Sequence, residues 1–160
     1  MLDKKDRAII SLLQYDGRIP YAKIAEKLNI TEGSVRHRVK RLLDDKKLQI
    51  VGITQPEEMG WNESGVIGIT VQPSLIVEVA DAIAQLPEVS YLVQVAGEFD
   101  FFAEVYCRDR DHFVSFLNTK LQQIPGVERS QSFIILKMHK LSSRWGEGEA
   151  EAPPKEFITT

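Results

Sequence analysis

The 160-residue sequence predicts an α+β chain in two parts, and three observations carry that expectation. Apolar residues recur at helical spacing in three short stretches of the first 47 residues. A short apolar run and a polar linker follow, where the period shortens to that of a strand. Beyond residue 65 two strand–helix–strand units succeed one another. The predicted organisation is a helical domain over 1–47, a strand and linker over 48–65, a sheet domain over 66–141 and a tail over 142–160.

Each element has a local reason. Asp3 can cap a first helix whose apolar positions are Ile9, Leu12 and Leu13, with Asp16-Gly17 ending it. Pro20 suits the first turn of a second helix over 21–28, with Ala22, Ile24, Ala25 and Leu28 facing inward. Asn29 tolerates a left-handed end, and Thr31 can cap a third helix running to about residue 45. Two short helices, a tight turn and an Arg-rich second member form the helix-turn-helix (winged-helix-like) pattern. Leu48-Gln49-Ile50-Val51-Gly52-Ile53 reads as a strand, and Pro56, Gly60 and Gly65 mark the linker.

In the second part, 66–71 reads as a strand and 74–85 as a helix with Leu75, Val79, Ile83 and Leu86 on one face. Pro87 stops it, and strands follow over 89–95 and 101–105. Asp109 can cap a helix carrying Phe113, Phe116, Leu117, Leu121 and Ile124, and Pro125-Gly126 ends it before a last strand over 127–138. That order is the split ferredoxin-like βαββαβ unit, four antiparallel strands with two helices on one face. The tail turns polar, with Trp145, Phe157 and Ile158 as the residues expected to tie it down, for instance to a neighbouring subunit.

Composition narrows the function. Apolar residues at 43% and charged ones at 27% are globular values. Each half is small enough to be marginal alone, so a homo-oligomer is expected. A single cysteine, Cys107, excludes an intramolecular disulfide and a cysteine-built zinc site. No apolar run is long enough to span a bilayer, and no secretory pattern opens the chain, so a soluble cytoplasmic protein without membrane contact is expected. The net charge of −3 divides into +5 over residues 1–50 and −8 over 51–160. A basic first third predicts an anionic partner for that part alone.

The third helix sharpens this. On a helical wheel Val35, Val39 and Leu42, with Leu43 beside them, form the core face. Gly33, Ser34, His37 and Arg41 lie opposite, flanked by Arg36, Arg38 and Lys40. An ordinary solvated face mixes signs, yet residues 33–43 contain no acid. The pattern predicts double-stranded DNA, contacted by Thr31, Gly33, Ser34, Arg36, His37, Arg38, Lys40 and Arg41. His37 has no second ligand one turn away, so no metal is expected, and His112 and His139 read as surface histidines. Paired carboxylates, a nucleophile elbow and a phosphate loop are all missing from the sequence, so neither an enzyme nor a cofactor is predicted.

Several motifs recur in a specific order: Leu2-Asp3-x-x-Asp6-x-x-Ile9, Asp16-Gly17-Arg18, Ile24-Ala25-x-x-Leu28-x-Ile30-Thr31, Val35-x-x-Arg38-Val39-x-Arg41-Leu42, and Gly97-Glu98-Phe99-Asp100. In these, residues 1–141 resemble the Lrp/AsnC (feast/famine) transcriptional regulators. The resemblance implies a helix-turn-helix joined by a strand to a ligand-sensing domain. It also implies a homodimer built on the sheets that assembles into a higher oligomer, and an amino acid or related effector bound beside the Gly-x-x-Asp turn. Here that turn is Gly97 and Asp100. Ser132 stands where relatives carry the second threonine of Thr-x-Thr, and Pro20 stands where many have a serine cap. Gly97 would permit positive φ at the turn. Asp100 would either hold an α-ammonium group or satisfy amides of the turn. The function expected is a sequence-specific transcriptional regulator whose DNA binding or assembly responds to a small metabolite. A siroheme-decarboxylase-like enzyme and an effector-free architectural DNA-binding protein are the alternatives.

Overall fold

The computed structural model describes residues 1–141, and the tail call, with Trp145, Phe157 and Ile158, lies outside the described residues. Two compact units divide the described chain, one over Met1–Ile53 and one over Thr54–Met138.

The first unit is three helices, α1 (Lys4–Tyr15), α2 (Tyr21–Leu28) and α3 (Glu32–Asp44). A capping box starts α1: the Asp6 amide donates to the Asp3 side chain at 2.7 Å, and the Asp3 amide donates to the Asp6 side chain at 3.2 Å. Pro20 precedes α2 without a side-chain cap bond, and Asn29 closes that helix at φ 49°. The Ser34 amide donates to Thr31 Oγ1 at 3.2 Å, which starts α3 within three residues of the end of α2. Ile9, Leu13, Ile24, Ala25, Val35 and Val39 make the buried core, each large member contributing about 1.5–3 kcal/mol.

Two positions depart from the predicted inward faces. Ala22 is exposed because it stands two residues, about 200°, from Ile24 on the wheel. Leu43 is exposed because it lies about 100° from Leu42. The strand predicted over 48–53 does not form. The Lys47 and Leu48 amides donate to the Leu42 carbonyl and close α3 instead. A strand also needs a ladder partner, and none pairs with this run among the described residues.

The second unit holds β1 (Glu63–Val71), α4 (Ile76–Ala84), β2 (Val89–Gln94), β3 (Phe101–Cys107), α5 (Arg110–Thr119) and β4 (Val127–Ile134). The sheet order is β2-β3-β1-β4, with every pair antiparallel. Phe101, Ala103, Val105 and Cys107 of β3 join Ile67, Ile69 and Val71 of β1 in one core. Val79, Ile83, Phe113 and Phe116 of the two helices complete it. The other face of β3 carries Phe102, Glu104 and Tyr106, which are half-buried.

Several boundaries differ from the prediction: β3 runs on to Cys107 rather than 105, and α5 ends at Thr119, so that Leu121 lies in a separate 3₁₀ turn, Leu121–Gln123, and Ile124 follows it. β1 starts at Glu63, where it meets Cys107 of β3, rather than at 66. β4 stops at Ile134 rather than 138, because it pairs only with β1. Ile134 opposes Gly65, the Ile135 amide reaches the Ser64 carbonyl, and β1 then runs out. The helix predicted over 74–85 begins as a 3₁₀ turn, Pro73–Leu75. Gly68 has a packing reason: a Cβ there would lie 2.8 Å from the Phe99 ring, which rests over the strand.

Candidate functional site

The outward face of α3 is organised more tightly than its sequence indicates. Thr31, Gly33, His37 and Lys40 are exposed, and Ser34 is half-buried. A Cβ added to Gly33 would meet nothing within 4 Å, so no contact within the chain requires glycine there. Arg36 donates to Glu32 one turn back at 2.8 Å and lies 5.6 Å from the Tyr21 ring centroid. That ion pair is exposed on both sides and stabilises little. His37, Lys40 and Arg41 line a shallow hollow of about 310 Å³ with Asp44 and Asp45.

Arg38 and Arg41 behave differently. Asp6 of α1 is only 1% exposed, and both of its oxygens are taken. Arg38 Nη1 donates to Asp6 Oδ1 at 2.7 Å and to Asp3 Oδ2 at 2.6 Å. Arg41 Nη2 donates to Asp6 Oδ2 at 2.6 Å. The Arg38 side chain is 22% exposed and that of Arg41 45%. Burial alone would raise the Asp6 carboxyl, but the Arg38 hydrogen bond, the Asp3 amide and the Arg41 charge outweigh it and hold it below the usual range. Asp3 is also lowered, first by the Asp6 amide and then by Arg38.

Sequence reasoning placed Arg38 among residues aimed outward and gave Asp6 no role. A signal was available. Asp6 stands three residues before Ile9 and seven before Leu13, so it belongs to the apolar stripe of α1. An acid there must be paired.

Gly97 and Asp100 lie together in the β2–β3 connection. Positive φ among glycines occurs only at Gly60 and Gly126 within the described residues, so the expected left-handed Gly97 is not found. The connection closes through the Val95 amide on the Asp100 carbonyl and the Asp100 amide on Ile69. It spans six residues, 95–100, and none of them is left-handed. Asp100 Oδ2 accepts from the Val71 amide at 2.8 Å, fastening the connection to β1.

Ser132 does not stand level with this turn. It opposes Ile67, whereas Ser130 opposes Ile69, the partner of Phe101. The β4 side chain that does reach the turn is Arg129, 3.3 Å from Glu98 and 5.7 Å from the Phe99 ring centroid. Sequence reasoning missed it because strand register alone brings it there.

A second cluster sits at the opposite end of the sheet, where β1 begins and β3 ends. Glu88, 4% exposed, accepts at Oε1 from Lys120 at 2.6 Å, and His112 Nε2 lies 3.2 Å from the same oxygen. His112 is therefore not the surface histidine expected. Its Nδ1 accepts from the Arg108 amide at 3.2 Å, and its ring lies 6.2 Å from that of Trp61. Trp61, Met59, Glu88 and Tyr106 line a hollow of about 310 Å³. Burial, then the Glu104 charge, pushes the Tyr106 hydroxyl up to about 12. Burial, then Glu88, pushes the Cys107 thiol up to about 11, which makes it an unreactive core group.

Comparison with known proteins covers both units. The AsnC-type helix-turn-helix domain matches residues 2–43, and the Lrp/AsnC ligand binding domain matches residues 64–145. A helix-turn-helix-type transcriptional regulator of Pyrococcus abyssi is 34% identical over 146 residues, covering 91% of this chain and 90% of the relative. The regulator LrpA of Pyrococcus horikoshii is 32% identical, covering 88% of this chain and all of its own. Among solved structures, AsnC of E. coli superposes with a TM-score of 0.79 at 22% identity, covering 90% of this chain and 98% of that one. A transcriptional regulator of Neisseria meningitidis in complex with L-Met gives 0.81 at 24% identity, covering 91% and 97%. At these identities the two structures establish the fold.

Proposed function

This chain belongs to the Lrp/AsnC family of transcriptional regulators, and from that premise we propose that α3 lies in the DNA major groove while the Gly97–Asp100 turn binds an amino-acid-like effector. The observation that carries the first half is the outward face of α3, free of acids from Gly33 to Leu43. Gly33, Ser34 and His37 come first along the helix, where recognition helices meet base edges. Thr31, Arg36, Lys40 and Arg41 would meet phosphates, which fix register and give binding its salt dependence. Open space at Gly33 suits close approach of a partner backbone.

The effector half rests on the carboxylate of Asp100. One oxygen fastens the connection to β1, and the other is placed to accept from an ammonium group. Arg129, which β4 brings to the turn, stands by for a carboxylate, while Ser132, two residues past the position level with the turn, is not assigned to this site. L-Met, the ligand in the Neisseria structure, is the natural first probe. A homodimer that builds a higher oligomer completes the reading, since each unit is small and one face of the sheet is only partly covered. Two copies of α3 would then address half-sites roughly 34 Å apart or a multiple of it.

Fluorescence anisotropy on a mixed-sequence duplex tests the first half. The logarithm of the binding constant falls steeply with the logarithm of salt, and Lys40→Ala lowers that slope by about 0.9. A constant that ignores salt overturns it. Calorimetry with the amino acids, L-Met first, tests the second half. Asp100→Ala loses roughly tenfold or more in effector affinity, and equal affinity in both proteins overturns it.

A further inference from the structure

We propose that Arg38 does not contact DNA: it is the positioning residue that neutralises Asp3 and Asp6 and so leaves Arg41 to face the phosphates. The proposal rests on the reading of α3 as the recognition helix. It reassigns the most acid-bound of the basic residues on that helix.

Three features of the geometry carry it. A single nitrogen of Arg38, Nη1, serves both carboxylates, Asp3 Oδ2 at 2.6 Å and Asp6 Oδ1 at 2.7 Å. Its side chain is half as exposed as that of Arg41 and a third as exposed as that of Arg36, at 22% against 45% and 68%. Asp6 is buried, with every oxygen committed, so DNA could recruit Arg38 only by stripping the main counter-charge from a desolvated carboxylate. Arg36 gives up only an exposed pair with Glu32, which solvent and salt already weaken.

The charge balance then gives Arg38 a purpose. Two carboxylates and two guanidiniums cancel at the base of α3. Without Arg38, one positive charge would face two negative ones. Arg41, which already donates to Asp6 Oδ2 at 2.6 Å, would be held there as the one remaining cation, and the residual negative charge would oppose approaching phosphates. Arg38 thus acts on DNA through Arg41 and not by touch.

The test removes these charges singly and together, using the full chain and a mixed-sequence DNA duplex between about 50 and 200 mM salt. Arg38→Met should weaken binding about tenfold and lower the salt slope by up to about 0.9, because Arg41 is then held on Asp6. Asp6→Asn/Arg38→Met removes the acid as well and should return affinity to within about threefold of wild type. Arg41→Met should lower the slope by about 0.9, and adding Asp6→Asn should not restore it. Circular dichroism checks folding. If Arg38→Met alone fails to fold, the double variant decides, because a wild-type slope supports the inference and a slope lower by about 0.9 overturns it. A lowered slope in Arg38→Met, with no recovery in the double variant, makes Arg38 a phosphate ligand and overturns this inference alone. Salt-independent binding by the wild type overturns the recognition-helix reading, and this inference falls with it.

Discussion

Among the described residues each unit buries one carboxylate, and the two are managed differently. Asp6 in the helical unit is fully satisfied: Arg38 takes one oxygen, while Arg41 and the Asp3 amide share the other. Glu88 in the sheet unit gathers Lys120 and His112 on Oε1, and its buried Oε2 has no partner among the described residues. Both acids are held below their usual ranges against the opposing effect of burial. The first is closed by two arginines one helical turn apart, a geometry that α3 repeats without effort. The second depends on a loop, a helix end and a lysine with a 41% exposed side chain. Helix periodicity delivers pairs of basic groups to one point, whereas the end of a sheet must assemble them from separate segments.

The strongest way to break this contrast is to remove one cation from each acid. Arg38→Met should destabilise the helical unit by about 3 kcal/mol, the low end for stranding a buried charge, since Arg41 remains. Lys120→Met should cost about 1 kcal/mol, because solvent already screens that lysine. Urea denaturation at neutral pH measures both, and equal costs would erase the distinction.

Glycines sharpen it next. Gly68→Ala would drive a Cβ to 2.8 Å from a packed phenylalanine ring and should cost the sheet unit about 2 kcal/mol. Gly33→Ala meets open space, so it should stabilise α3 by about 0.5–1 kcal/mol while weakening DNA binding. Thermal melts with anisotropy on the same samples check both signs.

The smallest effect is in pH. Asp3, Asp6 and Glu88 all have lowered folded-state pKa values. Their contribution is present above the ordinary carboxylate range, near pH 4, and is lost as pH falls through the lowered values. Asp6→Asn should flatten the acid limb of the helical unit's stability curve, and Glu88→Gln that of the sheet unit. An unchanged acid limb in Asp6→Asn would show that Arg38 and Arg41 do not act through that carboxylate.

Local chemistry made much of this protein legible from sequence alone. The Asp3, Thr31 and Asp109 caps, the left-handed Asn29 and the apolar stripes of α1 and α3 are set by residues a few positions apart, so their signals survive without tertiary knowledge. The order strand–helix–strand, twice over, follows from the same short-range periodicity, and so does the acid-free face of α3. Tertiary structure decided what depends on partners distant in sequence. The apolar run over 48–53 has strand composition, but composition cannot supply a ladder partner. β4 ends where β1 runs out, and Arg129 rather than Ser132 meets the Gly97–Asp100 turn because register places it there. Arg38 looks like any outward arginine on a wheel. Only the arrival of α1, which carries Asp6 from 32 residues earlier in the chain, turns its charge inward, because a buried carboxylate binds the nearest cation more strongly than solvent can compete for it.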